Sequence, residues 1–94
     1  MIIVVKGEKQ LKEDDKYKKY IGLHLRLRRK ELGLHQDDIA ERAGLDETTI
    51  GKIERGERAP LASTLFKIST AMSISLDRLK ADVEKSIKSD YDEK

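Results

Sequence analysis

The chain of 94 residues contains no cysteine, which excludes a disulfide, a thiolate metal site and a nucleophilic thiol. Its two histidines, His24 and His35, are isolated and lack the spacing of a metal-ligand pair. The sequence shows no Ser/His/Asp grouping and no glycine-rich phosphate loop. We therefore expect a protein that is not an enzyme and that binds neither a cofactor nor a metal.

Long hydrophobic runs are also missing. The longest, Ile2 to Val5, is far too short for the core of a signal peptide or for a membrane span. We therefore expect a cytoplasmic protein with no membrane partner. At this length the chain makes one small domain with a thin core, so we expect marginal stability or dependence on a partner chain.

Neither sign of charge dominates, since the chain has 20 basic and 18 acidic residues. Residues 1–20 carry six lysines and four acids, whereas residues 21–60 and 61–94 are each balanced, so the whole excess of +2 lies at the N-terminus. A protein whose affinity for nucleic acid came mainly from counterion release would be far more basic. Binding to an anionic partner must therefore depend on where the charges lie.

The segment from Gln36 to Pro60 has the pattern of two short helices joined by a tight turn. Ile39, Ala40 and Ala43 fall at helical spacing on one face, and Ala40 is small where a second helix must cross close by. Gly44 then ends the first helix, because a residue without a Cβ takes the left-handed conformation at little cost.

The second helix of this pair begins at Asp46, whose carboxylate can cap the first backbone N–H groups. Ile50 and Ile53 point inward, and Gly56 is expected to end the helix. The outward face is polar and its side chains are short near the start: Glu47, Thr48, Gly51, Lys52 and Arg55. A helix of this kind can enter the major groove of DNA. The pair is therefore typical of a helix-turn-helix.

From Ile21 to Leu79 the chain resembles the Cro/phage-repressor family of bacterial helix-turn-helix proteins, also called the xenobiotic-response-element-like family. The matching positions are Arg29, Gly33, Gln36, Ala40, Gly44, Ile50, Glu54, Gly56 and Pro60. So many positions at fixed offsets would rarely coincide by chance. The resemblance implies an all-α fold, a compact five-helix lambda-repressor-like domain that binds double-stranded operator DNA as a homodimer.

Six residues are predicted to contact DNA: Gln36, Glu47, Thr48, Lys52, Arg55 and Arg58. The resemblance implies the contact from Gln36, which could otherwise be an ordinary solvated helix residue. Glu47, Thr48 and Lys52 lie near the start of the second helix, where base edges are contacted. Glu47 repels phosphate but can accept a hydrogen bond from cytosine N4, so it would favour particular sequences while lowering general affinity.

The resemblance also implies that Arg29 pairs with Glu54 across helices 1 and 3. We interpret this pair as structural, because a buried ion pair fixes the orientation of helices more than it stabilises them.

The predicted organisation has three parts. Residues 1–14 form an N-terminal arm, in which the β-branched segment Met1–Val5 predicts a strand. Residues 15–88 form the helix-turn-helix domain, whose first helix should run from about Asp15 to Leu32. Ile21, Leu25 and Leu32 should face the core there, and Arg28 interrupts this apolar stripe. Residues 89–94 are predicted to be a disordered tail.

These features favour a sequence-specific transcriptional regulator, in particular a repressor that binds palindromic operator DNA as a dimer. The alternative is a protein-binding role, as the antitoxin of a toxin partner or as a restriction-modification controller protein. The surplus apolar residues Phe66, Val83 and Ile87 are the first candidates for the dimer contact. The strand at Ile2 to Val5 is the second candidate, because an isolated strand must pair to satisfy its backbone.

Overall fold

The structure is a computed structural model that describes the backbone of residues 3–92 and the side chains of residues 14–91. Within residues 3–92 the chain forms five helices: α1 (Ile3–Glu31), α2 (Gln36–Ala43), α3 (Glu47–Glu54), α4 (Ala62–Ala71) and α5 (Leu76–Asp92). The predicted all-α, five-helix fold is confirmed. In the part of the chain that is described, no helix has the length and apolar composition needed to cross a bilayer.

Both ends of the chain differ from the sequence prediction. α1 begins at Ile3, so the strand predicted for Met1–Val5 is wrong at Ile3 to Val5, and Met1 and Ile2 lie outside the described residues. A helix satisfies its backbone N–H and C=O groups internally, which an isolated strand in an all-helical domain does not. At the other end α5 continues to Asp92, where residues 89–94 were predicted to be a disordered tail. The last two residues lie outside the described backbone.

The hydrophobic core receives side chains from all five helices. Its buried apolar residues are Tyr20, Leu25, Ile39, Ala40, Ala43, Ile50, Ile53, Ile68, Met72, Leu79, Val83 and Ile87. Leu25 is buried as predicted, and Ile21 packs against the core while half-buried. Leu32 was predicted to face inward but is 39% exposed; it lies just beyond Glu31, the last residue of α1.

α1 crosses α3 at Gly22. A Cβ on Gly22 would overlap the carbonyl oxygen of Ile53 and would lie 2.9 Å from that of Glu54. Both oxygens belong to the backbone of α3, so they cannot rotate away as a side chain could. The absence of a side chain at Gly22 therefore sets the distance between the two helices.

α1 and α5 lie side by side, with a polar row along their shared edge. Lys16 and Tyr20 of α1 both donate to Asp90, at 3.1 and 2.6 Å, and His24 contacts the Ser86 hydroxyl at 2.8 Å. The hydrogen bond from Tyr20, and then that from Lys16, lower the pKa of the Asp90 carboxyl below its ordinary value. These contacts attach α5 to the part of α1 that precedes the helix-turn-helix.

Beneath this row, Val83 and Ile87 of α5 belong to the core, with only 2% and 8% of their surface exposed. They were predicted to form the dimer contact, and this assignment is wrong because the chain's own core already covers them. Phe66, the third predicted residue, is 54% exposed on α4.

Arg28 interrupts the apolar stripe of α1 because its guanidinium holds the end of α4. It donates to the carbonyl oxygens of Met72 at 3.1 Å and Ser73 at 3.2 Å, and it pairs with Glu31 at 2.9 Å. The last carbonyls of a helix lack partners within that helix, so a cation placed there stabilises its end. The departure from the apolar pattern is thus structural.

Candidate DNA-binding surface

The turn between α2 and α3 is built as the sequence predicts. Gly44 takes the left-handed conformation, with φ of 70°, and the N–H of Leu45 bonds back to the carbonyl of Ala40 at 2.8 Å. His35 is the N-cap of α2, and its backbone N–H donates to the Asp38 carboxylate at 2.8 Å. That bond is the Asp38 half of a capping box, and it holds the start of α2 although the His35 side chain makes no cap hydrogen bond with a described residue.

The start of α3 is fixed by Asp46. Its carboxylate accepts the backbone N–H of Thr49 at 2.8 Å, as expected for an N-cap. Hydrogen bonding by the Thr49 side chain, and then by its backbone N–H, lowers the pKa of the Asp46 carboxyl. Glu47 and Thr48 follow directly and are both exposed, and Lys52, one turn further on, is half-buried. None of these three side chains has a hydrogen bond or ion pair with any described residue. The first turns of α3 therefore present free polar groups on a rigidly capped helix.

Gly51 does not lie on that exposed face, contrary to the prediction. It is buried, because the guanidinium of Arg55 and the side-chain amide of Gln36 lie over it. A Cβ at Gly51 would lie 2.9 Å from Nη1 of Arg55 and 3.5 Å from Oε1 of Gln36. The missing side chain gives these two predicted DNA contacts their position.

The predicted pair of Arg29 and Glu54 is present and buried. Nε and Nη2 of Arg29 donate to the two Glu54 oxygens at 2.7 and 2.9 Å, while Nη1 donates to the carbonyl of Leu34 at 2.8 Å. These bonds to Glu54 raise the pKa of Arg29, so the guanidinium stays charged. The Gln36 amide donates to the same carboxylate at 3.0 Å. α1, α2 and α3 are thereby joined through one carboxylate.

The engagement of Gln36 restricts how it can contact DNA. Its side-chain amide is already bound to Glu54, but Gln36 is also the first residue of α2. The first backbone N–H groups of a helix point outward without partners inside the helix, and they suit a phosphate oxygen. The amide keeps its second N–H and its oxygen, so both the side chain and the backbone of Gln36 retain groups that can form further hydrogen bonds.

The two remaining predicted cations lie at the other end of α3. Arg55 is exposed and pairs with Glu57 at 2.6 Å, and this partner raises the pKa of Arg55 and lowers that of Glu57. Arg58 is exposed in the following loop, near Thr49 and Pro60. Sequence reasoning missed Glu57, which accepts from Nε and Nη2 of Arg55 and leaves Nη1 without a bond to this carboxylate.

Sequence reasoning also missed two cations of α1. Arg26 and Lys30 line a cleft of about 350 Å³ together with Arg29, Gln36, Glu54 and Arg55. We call this the α1 cleft. The available signal was their spacing of four residues on a polar face of the first helix. The helix-turn-helix pattern consists of α2 and α3 and does not include these two residues of α1.

A model of the helix-turn-helix family HTH_3 matches residues 25–79, which is more than half of the chain. The chain belongs to this family. It is 37% identical over 60 residues to the control protein C.MunI of a Mycoplasma species, covering 64% of this chain and 81% of that protein. It is 31% identical over 58 residues to the uncharacterized HTH-type transcriptional regulator y4dJ of Sinorhizobium fredii, covering 62% and 75%.

Among solved structures, the chain is similar to the restriction-modification controller protein C.AhdI from Aeromonas hydrophila. The two are 34% identical with a TM-score of 0.63, and the match covers 65% of this chain and 92% of that one. Among the curated relatives, the share of their own length that the chain spans ranges from 42% to 84%. The family membership confirms the resemblance drawn from the motif positions.

Proposed function

We propose that this protein is a transcriptional regulator that binds a specific palindromic DNA sequence as a homodimer and acts as a repressor. Its class, a DNA-binding helix-turn-helix regulator, follows from the family match. The observation that supports sequence-specific binding is the geometry of α3. Asp46 caps this helix and Arg29 ties its end to α1, while Glu47, Thr48 and Lys52 make no hydrogen bond or ion pair with a described residue.

In this proposal α3 lies in the major groove and its first turns contact base edges. Thr48 carries a short hydroxyl that can donate to or accept from a base. Glu47 accepts from cytosine N4, which favours sites with a cytosine there, while its repulsion of phosphate lowers affinity for all sequences. Lys52, Arg55 and Arg58 bind phosphate along one side. The N–H groups at the starts of α2 and α4 bind phosphate on the flanks.

Selection of bound sites from random DNA with the purified chain tests this function. We expect a palindromic consensus whose half-sites lie about one DNA turn apart, roughly 34 Å. Binding that is equally tight to all sequences, with no consensus after repeated rounds, contradicts the proposal.

A dimer is proposed because one helix contacts few base pairs, and a chain with net charge +2 gains little from non-specific attraction. With Val83 and Ile87 buried, the surface available for a second copy is an apolar groove of about 300 Å³ between α1, α4 and α5. The groove is lined by Tyr17, Ile21, Leu65 and Leu76, which are exposed or half-buried, and by Leu79 and Val83, which are almost fully buried and offer a second copy little surface. Lys80 and Glu84 lie at its rim. We call it the α4/α5 groove.

The rim charges favour a second copy as the occupant of the α4/α5 groove. Lys80 and Glu84 lie one turn apart on α5 and carry opposite charges. In a two-fold contact each Lys80 can lie near the Glu84 of the other copy, so the same surface is complementary to itself.

A second candidate function is that of a restriction-modification controller protein. It is favoured by the names of two similar proteins, the control protein C.MunI and the controller protein C.AhdI. Mapping the selected consensus on the source genome tests it. A site upstream of adjacent methyltransferase and endonuclease genes supports this candidate, and sites only at unrelated promoters contradict it. The antitoxin alternative stays a prediction.

A further inference from the structure

Two cations of α1 have no internal partner. Arg26 and Lys30 are exposed, and neither makes a hydrogen bond or ion pair with any described residue. The described side chains form seven ion pairs, and none of them includes Arg26 or Lys30. Like charges four residues apart on a helix repel each other and destabilise it. An external anion would relieve this repulsion.

The position of Lys30 alone has a structural explanation, because a cation in the last turn of α1 interacts favourably with the helix dipole. Arg26 lies more than one turn before Glu31, where that effect has largely decayed. The pair as a whole is therefore not accounted for by the stability of α1.

The α1 cleft, which both cations line, is lined mostly by N–H donors and holds uncompensated positive charge. Within it, Arg29 is neutralised by Glu54, whose carboxylate also accepts from Gln36. The remaining charges are those of Arg26, Lys30 and Arg55, and only Arg55 has a carboxylate partner, Glu57, outside the cleft.

We propose that the α1 cleft binds a backbone phosphate of DNA, held by Arg26 and Lys30, next to the bases that α3 contacts. This inference rests on the proposed function. Gln36 and Arg55 line the same cleft, and both are predicted DNA contacts, so the cleft continues the proposed surface from α3 onto α1. A guanidinium binds two oxygens of one phosphate, while an ammonium acts as a compact point charge. α1 thus adds affinity without adding sequence preference.

The first experiment compares two double variants on the selected DNA site. Arg26→Gln with Lys30→Gln removes the proposed contacts. Arg42→Gln with Lys67→Gln is the matched control, because these residues are also one exposed arginine and one exposed lysine without described partners. They lie beside Phe66, Ala43 and Thr70 and share no lining residue with the α1 cleft.

For the α1 double variant we expect affinity at low salt to fall between about tenfold and a hundredfold, and the slope of log K against log salt to shrink by about two. The consensus sequence should stay the same. The melting temperature should be unchanged or slightly higher, since a like-charge repulsion is removed. The control should change the slope by less than about half a unit. Equal slopes for the α1 variant and the wild type overturn the inference.

The second experiment locates the phosphate. Neutral methylphosphonate linkages are placed one at a time along each half-site, and affinity is measured for the wild type and the α1 double variant. We expect one or two flanking positions at which a neutral linkage lowers the affinity of the wild type about tenfold and leaves the affinity of the variant almost unchanged. Equal losses for both proteins at every position overturn the inference.

Free phosphate is the other source of the same chemistry. Inorganic phosphate that shifts the NMR signals of Arg26 and Lys30, combined with an unchanged DNA salt slope in the variant, assigns the cleft to the free anion and contradicts the DNA contact. Failure of the proposed function looks different, because the wild type itself would then select no sequence.

Discussion

Arg29 on α1 and Glu54 at the end of α3 form a buried ion pair through two hydrogen bonds of 2.7 and 2.9 Å. Replacing Arg29 by Met leaves the Glu54 carboxylate buried with only the Gln36 amide as a partner. We expect the free energy of unfolding to fall by about 3 kcal/mol, a large share of the stability of a small domain. Thermal and urea denaturation measure this loss.

The control for this pair is the joint replacement Arg29→Met with Glu54→Leu. It removes both charges, so the free energy of unfolding should fall clearly less than the sum of the losses in the two single variants. If Arg29→Met leaves the melting temperature unchanged and abolishes DNA binding, Arg29 is a phosphate contact and its structural role is wrong.

Thr48 and Lys52 should affect DNA binding in different ways. Thr48→Ala should lower affinity for the selected site by about 1 kcal/mol and relax the preference at one base pair, with little change in non-specific binding. Lys52→Ala should weaken binding to all sequences alike and reduce the salt slope by about one. Titrations on consensus and scrambled DNA at several salt concentrations distinguish the two. Unaltered binding in both variants contradicts the placement of α3 in the major groove.

Gly22 and Gly51 should respond in opposite directions to the same substitution. Gly22→Ala forces the backbones of α1 and α3 apart, since the new methyl group would overlap the Ile53 carbonyl, and it should cost at least about 2 kcal/mol of stability. At Gly51 the new methyl group would come too close only to the end of the flexible Arg55 side chain, because the 3.5 Å to Oε1 of Gln36 is an ordinary contact. Gly51→Ala should therefore be neutral or stabilise α3 by up to about 1 kcal/mol. Chemical denaturation measures the stability of both variants. Equal losses of stability would show that α1 and α3 do not approach each other most closely at Gly22.

Asp90 should make part of the stability depend on pH. Hydrogen bonds from Tyr20 and Lys16 hold its pKa below the ordinary value of 3.8, so its contribution is complete above that value and is lost as the pH falls further. Asp90→Asn should lower the melting temperature at neutral pH, and the difference from the wild type should close as the pH is lowered below 3.8. Asp14→Asn is the control, because Asp14 has no described partner. A difference in melting temperature between Asp90→Asn and the wild type that stays constant down to about pH 2 contradicts the role of Asp90.

The parts of this fold that local chemistry determines could be predicted from the sequence. The left-handed turn at Gly44 and the cap at Asp46 depend on a few adjacent residues, and both are as expected. The helical start at Ile3 could not be foreseen, because the β-branched segment favours a strand locally.

The candidate surface shows the same limit. The exposure of Glu47 and Thr48 follows from helical periodicity, but the burial of Gly51 depends on where Arg55 folds back. The α1 cleft brings together residues of three helices, so no single segment of the sequence displays it. Long-range packing, which periodicity does not encode, decides these positions.

The dimer should depend on the charges at the rim of the α4/α5 groove. Lys80→Glu places like charges where two copies meet, so we expect the dimer to dissociate at least tenfold more readily. Lys80→Glu with Glu84→Lys restores opposite charges and should restore the dimer. Within one chain this pair is exposed at 3.4 Å, and the hydrogen bond from Tyr17 to Glu84 at 3.3 Å is exposed as well, so each variant should lower stability by less than about 1 kcal/mol. Sedimentation at tens of micromolar measures the association. A wild-type monomer at that concentration that still binds a single half-site tightly would refute the dimer, and an unaffected dimer in Lys80→Glu would move the contact to another surface, such as the one around Phe66.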